Sequence, residues 1–379
     1  MSEPSVLVYM NLGPYHIARL RALTEVVPNM HAIEVAGKQR LYPWRPSRDE
    51  LGFSLTTLFP DCASENVRAA AQRNAMRAAL SRINPAVVMV AGYREPVMRA
   101  AAAWAWERGV PTILCFVSTY LDAKRRWWKE SIKRRLIRRY AAIAATGERA
   151  GEYALRLGAR LDRVYRIGNV VDNAHYAKGC EIVRRRQSQE RKRLHLPARF
   201  FLTVSRLSPE KNLTGLLDAF FQYRKQGGTW DLVLVGSGPQ EQTLRGMAQD
   251  HLEKQIHFVP WARYEELPHY YGSASCFVLP SVSEPWGLVV NEAMASGLPV
   301  LVSENCGCVP ELCREGENGY SFNPESVEEL AQHMLRISAS EGQLEAFGKA
   351  SRRTIAEFTL ETWAEKLKEC VIMAMKERA

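Results

Sequence analysis

No stretch of this 379-residue sequence is apolar over the roughly 18–20 residues that a membrane-spanning helix needs. The N-terminus passes from Met1 through four further residues into the short apolar run Val6–Met10. It has neither the basic start nor the long apolar stretch of a signal peptide. We therefore expect a cytosolic protein.

Only eight cysteines are present, and they are scattered along the chain. In a large chain without a secretion signal we expect reduced thiols. Cys306, Cys308 and Cys313 lie close together, but their spacing matches no common zinc pattern and no histidine accompanies them. We interpret them as small residues in a turn and expect no metal site.

Acidic residues are scarce in two short segments that hold the excess positive charge. Residues 124–139 contain nine basic residues and one acidic residue, and residues 184–193 contain six and one. The net charge of the whole chain is +10, so the remainder is slightly acidic. Because no recognition motif accompanies this charge, we expect no nucleic-acid partner. Two local basic surfaces are the better interpretation.

Both halves alternate short β-rich runs with helical stretches, which is typical of parallel α/β folding. The fold class that follows is α/β, with two Rossmann-like doubly wound domains facing a central cleft. The predicted boundaries are an N-terminal acceptor-side domain over 1–177, a basic linker over 178–197, a nucleotide-sugar-binding domain over 198–355, and a terminal helix over 356–379 that packs back toward the first domain.

The most informative run is the one from Ser283 to Val300, which follows a predicted strand. Gly287 opens a helix there, and the unpaired amides at a helix start favour an anion. Glu284 precedes the helix and Glu292 lies inside it. Carboxylates suit hydroxyl groups, so these two acids fit a ribose and a sugar on either side of a phosphate. Two solvated surface acids are the alternative.

A second motif follows the predicted strand Phe200–Ser205 and contains Arg206 and Lys211. Arginine can bind a phosphate in a bidentate way, and lysine supplies a mobile charge. Two cations could neutralise a diphosphate without a metal, and the chain contains no Asp-x-Asp pair. A salt bridge from this motif to Glu210 is the structural alternative.

The order of these motifs resembles the retaining GT-B glycosyltransferases of family 4. That family has an Arg and, five residues later, a Lys, then a Gly-rich turn, then two Glu residues eight apart. Here these are Arg206 and Lys211, the turn at 236–239, and Glu284 with Glu292. The segment 166–172 also looks like the one that closes the family's first domain.

The resemblance implies that Arg206 and Lys211 hold a donor diphosphate, that Glu292 binds the ribose, and that Glu284 contacts the transferred sugar. Arg206, Lys211 and Glu284 are then the catalytic candidates. It further implies donor contacts from Leu288 and Val289 through their backbone, from Val259 near the base, and from Gly13 in the other domain. The implied donor is a nucleotide-diphosphate sugar, a UDP-sugar in preference to a GDP-sugar, with no cofactor or metal.

The acceptor side departs from the family. Ser205 stands where a Gly is common, and the stretch 115–120 lacks the His that many members have. His16 is not counted as catalytic, because a lone His is more often a structural hydrogen-bonding group. Tyr93, Arg94, Trp44 and Arg45 are candidate acceptor contacts. The expected acceptor is a hydroxyl of a glycan, a lipid-linked sugar or an envelope polysaccharide.

The basic segment 124–140 reads as a helix in which Trp128, Ile132, Arg135 and Leu136 share one face. A basic helix with tryptophan suits the inner surface of an anionic membrane. Packing of its apolar residues on the first domain is the alternative, and a small soluble acceptor then fits better.

Other functions left open are an epimerase or phosphorylase of the same fold and a non-catalytic sugar-nucleotide-binding scaffold. The partial Gly236-Ser237-Gly238 fingerprint has Glu241 where a glycine is required, which disfavours an NAD enzyme.

Overall fold

The computed structural model describes residues 3–39, 51–123, 125–249 and 254–376. These residues form two compact units. The first contains residues 3–39, 51–120, 125–170 and 360–376, and the second contains 121–123, 171–249 and 254–359. The chain thus enters the second unit at Val171 and returns to the first for its last helix. The sequence prediction placed this junction later, between about 172 and 197.

The first unit, within its described residues, is built on a parallel sheet of seven strands in the order β3-β2-β1-β4-β5-β6-β7. The strands are β1 (Ser5–Tyr9), β2 (Met30–Lys38), β3 (Ser54–Ala63), β4 (Val87–Ala91), β5 (Thr112–Phe116), β6 (Ala142–Ala145) and β7 (Val164–Arg166). The helices between them are α1 (Pro14–Val26), α2 (Ala69–Ile83), α3 (Pro96–Glu107), α4 (Trp127–Ile137) and α5 (Glu148–Arg156).

The second unit, over the part that the structure describes, has six parallel strands in the order β10-β9-β8-β11-β12-β13. The strands are β8 (Phe200–Val204), β9 (Asp231–Val235), β10 (Ile256–Val259), β11 (Cys276–Leu279), β12 (Val300–Ser303) and β13 (Gly319–Phe322). The helices are α6 (Asn173–Arg185), α7 (Gln187–Arg193), α8 (Leu213–Lys225), α9 (Glu241–Gln249), α10 (Leu267–Ser273), α11 (Leu288–Ala295), α12 (Val309–Leu312), α13 (Val327–Ser338) and α14 (Glu341–Ile355).

The last helix, α15 (Leu360–Lys376), belongs to the first unit and packs against α1 and that unit's sheet. Arg19 of α1 is buried beneath it, with its guanidinium 5.9 Å from the Trp363 ring centroid. The same guanidinium donates to the carbonyl of Val170, at the point where the chain leaves the unit. Arg19 therefore ties the exit of the first unit to the returning helix.

The segment 178–197, for which a basic linker is predicted, is instead mostly helical and forms part of the second unit. Three of the five arginines in this segment are exposed and form its outer face. Cys180 and Val183 of α6 are buried on the inner face, and the guanidinium of Arg191 in α7 donates to the carbonyl of Ser273 at 2.8 Å. These two buried side chains are three residues apart and lie on one face of α6, which packs against α10. This is the pattern of an amphipathic helix.

Buried apolar side chains cover the sheets of both units. One cluster in the first unit includes Val8, Val90 and Phe116 from the strands and Trp104 from α3. In the second unit, separate clusters cover the two faces of the sheet. These sheets position the loops that follow their strands, which is where doubly wound domains carry their ligand sites.

Candidate functional site

The second sheet changes winding direction between β8 and β11, which lie side by side. The loops that follow two such strands lead away in opposite directions and leave a crevice suited to a ligand. Arg206 and Lys211 follow β8, and Glu284 follows β11. Lys211 and Glu284 form an ion pair in which each side chain is 15% exposed. The structure therefore brings the two sequence motifs into direct contact.

Arg206 forms the salt bridge that the sequence left as an alternative. Its guanidinium lies 2.6 Å from the Glu210 carboxylate, to which the Ser208 hydroxyl also donates at 2.8 Å. Burial alone would raise the pKa of Glu210, but the Ser208 hydrogen bond and the charges of Arg206 and Lys211 hold it below its ordinary value. Each predicted phosphate-binding cation is thus held in place by a carboxylate.

Glu292 is buried in α11, where the hydroxyl of Tyr271 donates to its carboxylate at 2.7 Å. Burial raises the pKa of Glu292 to about 7, although Tyr271 and the neighbouring Tyr176 hydroxyl counteract the rise. The sequence analysis missed both tyrosines. Tyr270-Tyr271 is visible in the sequence, but nothing there shows that the Tyr271 side chain reaches Glu292 of α11.

This raised pKa predicts how stability depends on pH. The folded protein keeps a proton on Glu292 up to a pH of about 7, whereas the unfolded chain releases it near its ordinary value of 4.5. The stabilising contribution is therefore complete below pH 4.5 and lost as the pH rises through 7. Urea unfolding at pH 5 and pH 8 should show the wild type losing on the order of 2 kcal/mol relative to Glu292→Gln. Parallel pH dependences of the two proteins would contradict the burial of this acid.

The N-terminus of α11 adjoins the Lys211–Glu284 pair. Gly287 precedes it with a φ of 104°, a conformation that other residues rarely adopt, and as a glycine it has no side chain to cap the helix. The loop is fixed from the other side, because the amide of Gly307 donates to the Glu284 carbonyl at 2.8 Å. The amides of Leu288 and Val289 precede the first hydrogen bond within the helix, and such amides favour an anion.

The Gly-rich turn after β9 packs against the loop that carries Arg206. The amide of Gly236 donates to the Val259 carbonyl at 2.9 Å, and the amide of Leu207 donates to the Ser237 carbonyl at 3.0 Å. Val259, the turn and Arg206 therefore lie along one edge of the sheet. This edge combines two cations, the first amides of α11 and the carboxylates of Glu284 and Glu292, a set suited to a diphosphate flanked by hydroxyl-bearing groups.

In the first unit, Gly13 caps α1 at the corresponding edge. Its amide donates to the Nδ1 atom of His16 at 3.0 Å, and burial lowers the pKa of His16 well below its ordinary value. His16 therefore serves as a neutral helix cap. The sequence analysis missed the buried Glu34, whose carboxylate accepts from the amide of Leu12 at 3.2 Å and from the Thr57 hydroxyl at 2.6 Å. This acid fixes the loop that carries Gly13.

The structure describes two of the four candidate acceptor contacts. Tyr93 follows β4 and stacks on Phe116, with 5.8 Å between ring centroids, and Arg94 beside it is exposed. Trp44 and Arg45 lie outside the described residues.

In the described part of the chain, no group of three or more metal-binding side chains could hold an ion, and all eight cysteines are free thiols.

The basic segment contains α4. Within it, Trp127 is 82% exposed, Ile132 60% and Trp128 45%. Glu130 and Lys133 face inward, where both bond to the Tyr153 hydroxyl at 2.8 Å. Of the face predicted for this helix, Trp128 and Ile132 are exposed, whereas Leu136 packs against the first core, as in the alternative interpretation. Among the described residues, no helix combines the length and apolarity needed to cross a membrane.

Two family models match consecutive parts of this chain. The model for glycosyl transferases group 1 matches residues 185–354, and the model for a glycosyl transferase 4-like domain matches residues 16–169. Together they cover most of the sequence. The chain therefore belongs to the family 4 glycosyltransferases, and its two parallel-sheet domains are those of the GT-B fold.

Individual relatives agree with this family. The chain is 34% identical to an uncharacterized glycosyltransferase of Haemophilus influenzae over 44% of this chain and 47% of that protein. It is 32% identical to the amylovoran biosynthesis glycosyltransferase AmsK of Erwinia amylovora over 43% of this chain and 41% of that protein. The chain spans about half the length of the curated relatives it matches. HepE of Anabaena, solved with UDP and glucose, has the same fold at 16% identity, with a TM-score of 0.76 over 98% of this chain and all of that one.

Proposed function

We propose that this protein transfers a sugar from a nucleotide-diphosphate sugar to an acceptor hydroxyl, with the donor bound by the second unit. The observation that carries the proposal is the Lys211–Glu284 pair at the switch point between β8 and β11, next to the start of α11. Arg206 and Lys211 bind the diphosphate, with the amides of Leu288 and Val289. Glu292 accepts hydrogen bonds from the ribose, and Val259 lies by the base.

In the proposed reaction the bond between the anomeric carbon and the terminal phosphate oxygen breaks, and a bond from that carbon to the acceptor oxygen forms. The acceptor proton passes to the departing diphosphate, so the products are the glycosylated acceptor and a nucleoside diphosphate. Attack occurs on the face that the leaving group vacates, and the anomeric configuration is retained. The two cations stabilise the developing phosphate charge, and this step needs no metal.

A UDP-sugar is the proposed donor, a choice supported by the nucleotide bound to HepE of Anabaena. A GDP-sugar is the alternative, since a relative from Mycobacterium tuberculosis, 30% identical over 48% of this chain, is a GDP-mannose-dependent mannosyltransferase. The proposed acceptors are glycans or lipid-linked sugars. The relatives include AmsK of amylovoran biosynthesis and the alpha-monoglucosyldiacylglycerol synthase of Acholeplasma laidlawii, which support a polysaccharide or lipid acceptor.

The roles of the two acids can be separated by kinetics. Glu292→Gln should mainly raise the KM for the donor, because ribose contacts act alike in the ground and transition states. Glu284→Gln should mainly lower kcat, because its sugar contact lies beside the breaking bond and because it positions Lys211. Steady-state kinetics with a UDP-sugar measure both values. Glu345→Gln, a change to an exposed acid of α14, is the control. Indistinguishable effects of Glu284→Gln and Glu292→Gln on KM and kcat would overturn these roles.

We further propose that α4 binds the surface of an anionic membrane. The exposure of Trp127, Trp128 and Ile132 supports this, since much of their apolar surface is open to solvent and basic residues flank them. Each cation near such a surface contributes about 1 kcal/mol. The protein would then act at the cytoplasmic face of the membrane as a peripheral protein.

Co-sedimentation with phosphatidylglycerol-containing vesicles tests this surface. Binding at low salt should fall at least tenfold with Arg134→Glu plus Arg135→Glu, because reversing two cations removes more than 2 kcal/mol of attraction. High salt should weaken binding as well. The matched control, Arg73→Glu plus Arg82→Glu, makes the same charge change at two exposed positions of α2. If the wild type stays in the supernatant at low salt, α4 has no membrane role and a soluble acceptor is favoured.

A further inference from the structure

Glu292 is a buried carboxylate that forms no ion pair with a cation of the described residues. It is 9% exposed and belongs to α11, which packs against α6, α14, β11 and β12. Two arginines of these neighbouring helices are engaged beyond the end of α11 instead. Arg184 donates to the carbonyl of Ser296, and the Arg352 guanidinium lies beside Gly297. Burial without a nearby cation destabilises the ionised form of an acid.

Tyrosine hydroxyls take the place of such a cation. The Tyr271 hydroxyl of α10 donates to Glu292 Oε2 at 2.7 Å. The same hydroxyl lies 3.5 Å from the Val289 carbonyl, but its single proton takes the shorter bond to the carboxylate. Burial and then the charge of Glu292 raise the pKa of Tyr271 and of the neighbouring Tyr176 well above the ordinary value. Both hydroxyls therefore keep their protons.

The ring of Tyr271 is fixed by its aromatic neighbours. Its centroid lies 5.7 Å from that of Tyr176 at an interplanar angle of 86°, and 5.9 Å from that of Phe277. Tyr176 in turn meets the ring of Tyr264 edge-on at 5.9 Å. Burial, and less strongly nearby carboxylates that include Glu292, raise the pKa of Tyr264 as well. Because a tyrosine side chain has only two rotatable bonds, a packed ring fixes where its hydroxyl lies.

Packing alone does not require this pairing of a tyrosine with an acid. A backbone group can satisfy a buried tyrosine, as the Trp230 amide does for Tyr223 at 2.9 Å. Glu292 costs the fold free energy that a glutamine at the same position would not, because a buried charge loses its hydration. It stands one turn inside α11, and an ionised carboxylate accepts hydrogen bonds through both oxygens. The arrangement therefore suits a group that receives ligand hydroxyls.

We propose that Tyr271 is a positioning residue for donor binding, an inference that rests on the proposed function and on the ribose contact of Glu292. The Tyr271 hydroxyl holds Oε2 and keeps the carboxylate ionised, which leaves Oε1 to accept a hydrogen bond from the ribose. The donor affinity of the protein therefore depends on pH, and Tyr271 sets the pH range in which the protein binds its nucleotide sugar.

The direction of this pH dependence follows from the acid. A proton on Glu292 removes acceptor capacity that the ribose needs. Burial raises the pKa of Glu292 to about 7, and the Tyr271 and Tyr176 hydroxyls oppose that rise. Donor affinity should therefore be highest above this pKa and fall as the pH decreases through it. Without the Tyr271 hydroxyl the ionised form loses a hydrogen bond, so the pKa of Glu292 rises further and tight binding moves to higher pH.

Calorimetric titration of the full chain with UDP-glucose at pH 6, 7 and 8.5 tests this role, because the diphosphate of a nucleotide sugar does not titrate in that range. Wild-type affinity should fall about tenfold from pH 8.5 to pH 6. Tyr271→Phe, which keeps the ring, should bind at least about fivefold more weakly than the wild type at pH 7, and this loss should shrink severalfold by pH 8.5. A merely structural role would weaken binding by the same factor at every pH.

Two variants serve as controls. Tyr223→Phe removes the hydroxyl of another buried tyrosine in the same unit, and its affinity should follow the wild-type pH profile. Glu292→Gln cannot titrate, so its affinity should not vary with pH, and adding Tyr271→Phe to it should introduce no pH dependence. GDP-mannose is the second probe, since a GDP-sugar is the alternative donor.

The proposal is overturned if the wild type binds either nucleotide sugar and Tyr271→Phe changes the affinity by one common factor, or not at all, at the three pH values. In that case the donor site itself stands. If the wild type binds neither nucleotide sugar at any of these pH values, the proposed function fails first, and the role of Tyr271 in donor binding falls with it.

Discussion

Replacing Arg206 or Lys211 by alanine is expected to weaken nucleoside diphosphate binding by about ten- to a hundredfold each. The estimate follows from the roughly 1.5–3 kcal/mol that a hydrogen bond to a charged group contributes. The structure adds a second reason for a large effect. Glu210 and Glu284 are the ion-pair partners of these cations, and removing a cation leaves its carboxylate uncompensated beside the phosphates.

Calorimetric titration with UDP and GDP measures this effect, and turnover with a UDP-sugar should fall in parallel. The control is Arg245→Ala, which removes an arginine from an exposed pair with Glu241 on α9 in the same unit. That variant should bind nucleotide like the wild type. Retention of wild-type affinity and turnover in both Arg206→Ala and Lys211→Ala would show that the diphosphate is bound elsewhere.

The second large effect concerns Gly236, in the turn beside Arg206. A Cβ atom at this position would lie 1.9 Å from the Ser205 carbonyl oxygen, and the residue has a φ of 146°. Both the clash with backbone and the unfavourable φ oppose any side chain, so Gly236→Ala should lower the free energy of unfolding by about 3 kcal/mol or more.

Gly246 provides a matched control for this substitution. It lies in α9, and a Cβ atom there would meet no atom of the described residues within 4 Å. Gly246→Ala should therefore raise the free energy of unfolding by about 0.5–1 kcal/mol through helix propensity. Urea unfolding of the two variants and the wild type measures both changes. A Gly236→Ala variant as stable as the wild type would contradict the close packing of this turn against the β8 loop.

Much of the fold can be predicted from local patterns in the sequence. The apolar runs that become β1, β4, β8 and β9 are short, rich in branched residues and bounded by turn residues, and such runs indicate parallel strands without any tertiary information. The alternation with helices then fixes the doubly wound class, and that class places the loops after β8 and β11 together. The proximity of Lys211 and Glu284 could therefore be anticipated from the sequence.

Other features depend on packing that a linear pattern does not contain. The sequence analysis did not predict β2 and β3. β2 carries the buried Glu34, and β3 is a partly exposed edge strand with Pro60, so neither shows a clear apolar pattern. The stretch 178–197 is predicted as a linker because it is rich in arginine, although the part of it in α6 also carries a buried apolar face. The contact between Tyr271 and Glu292 likewise arises only in the folded second unit, where α10 and α11 both pack against α6.

The direct test of the donor site is thermal unfolding in the presence of UDP, GDP, UDP-sugars and GDP-sugars. A ligand at 100 times its dissociation constant adds about 2.7 kcal/mol to the free energy of unfolding. We predict that a UDP compound raises the Tm of the wild type, and that the protein carrying both Arg206→Ala and Lys211→Ala shows no such rise. If no nucleoside diphosphate or nucleotide sugar raises the Tm of the wild type at millimolar concentration, the second unit does not bind a nucleotide-sugar donor.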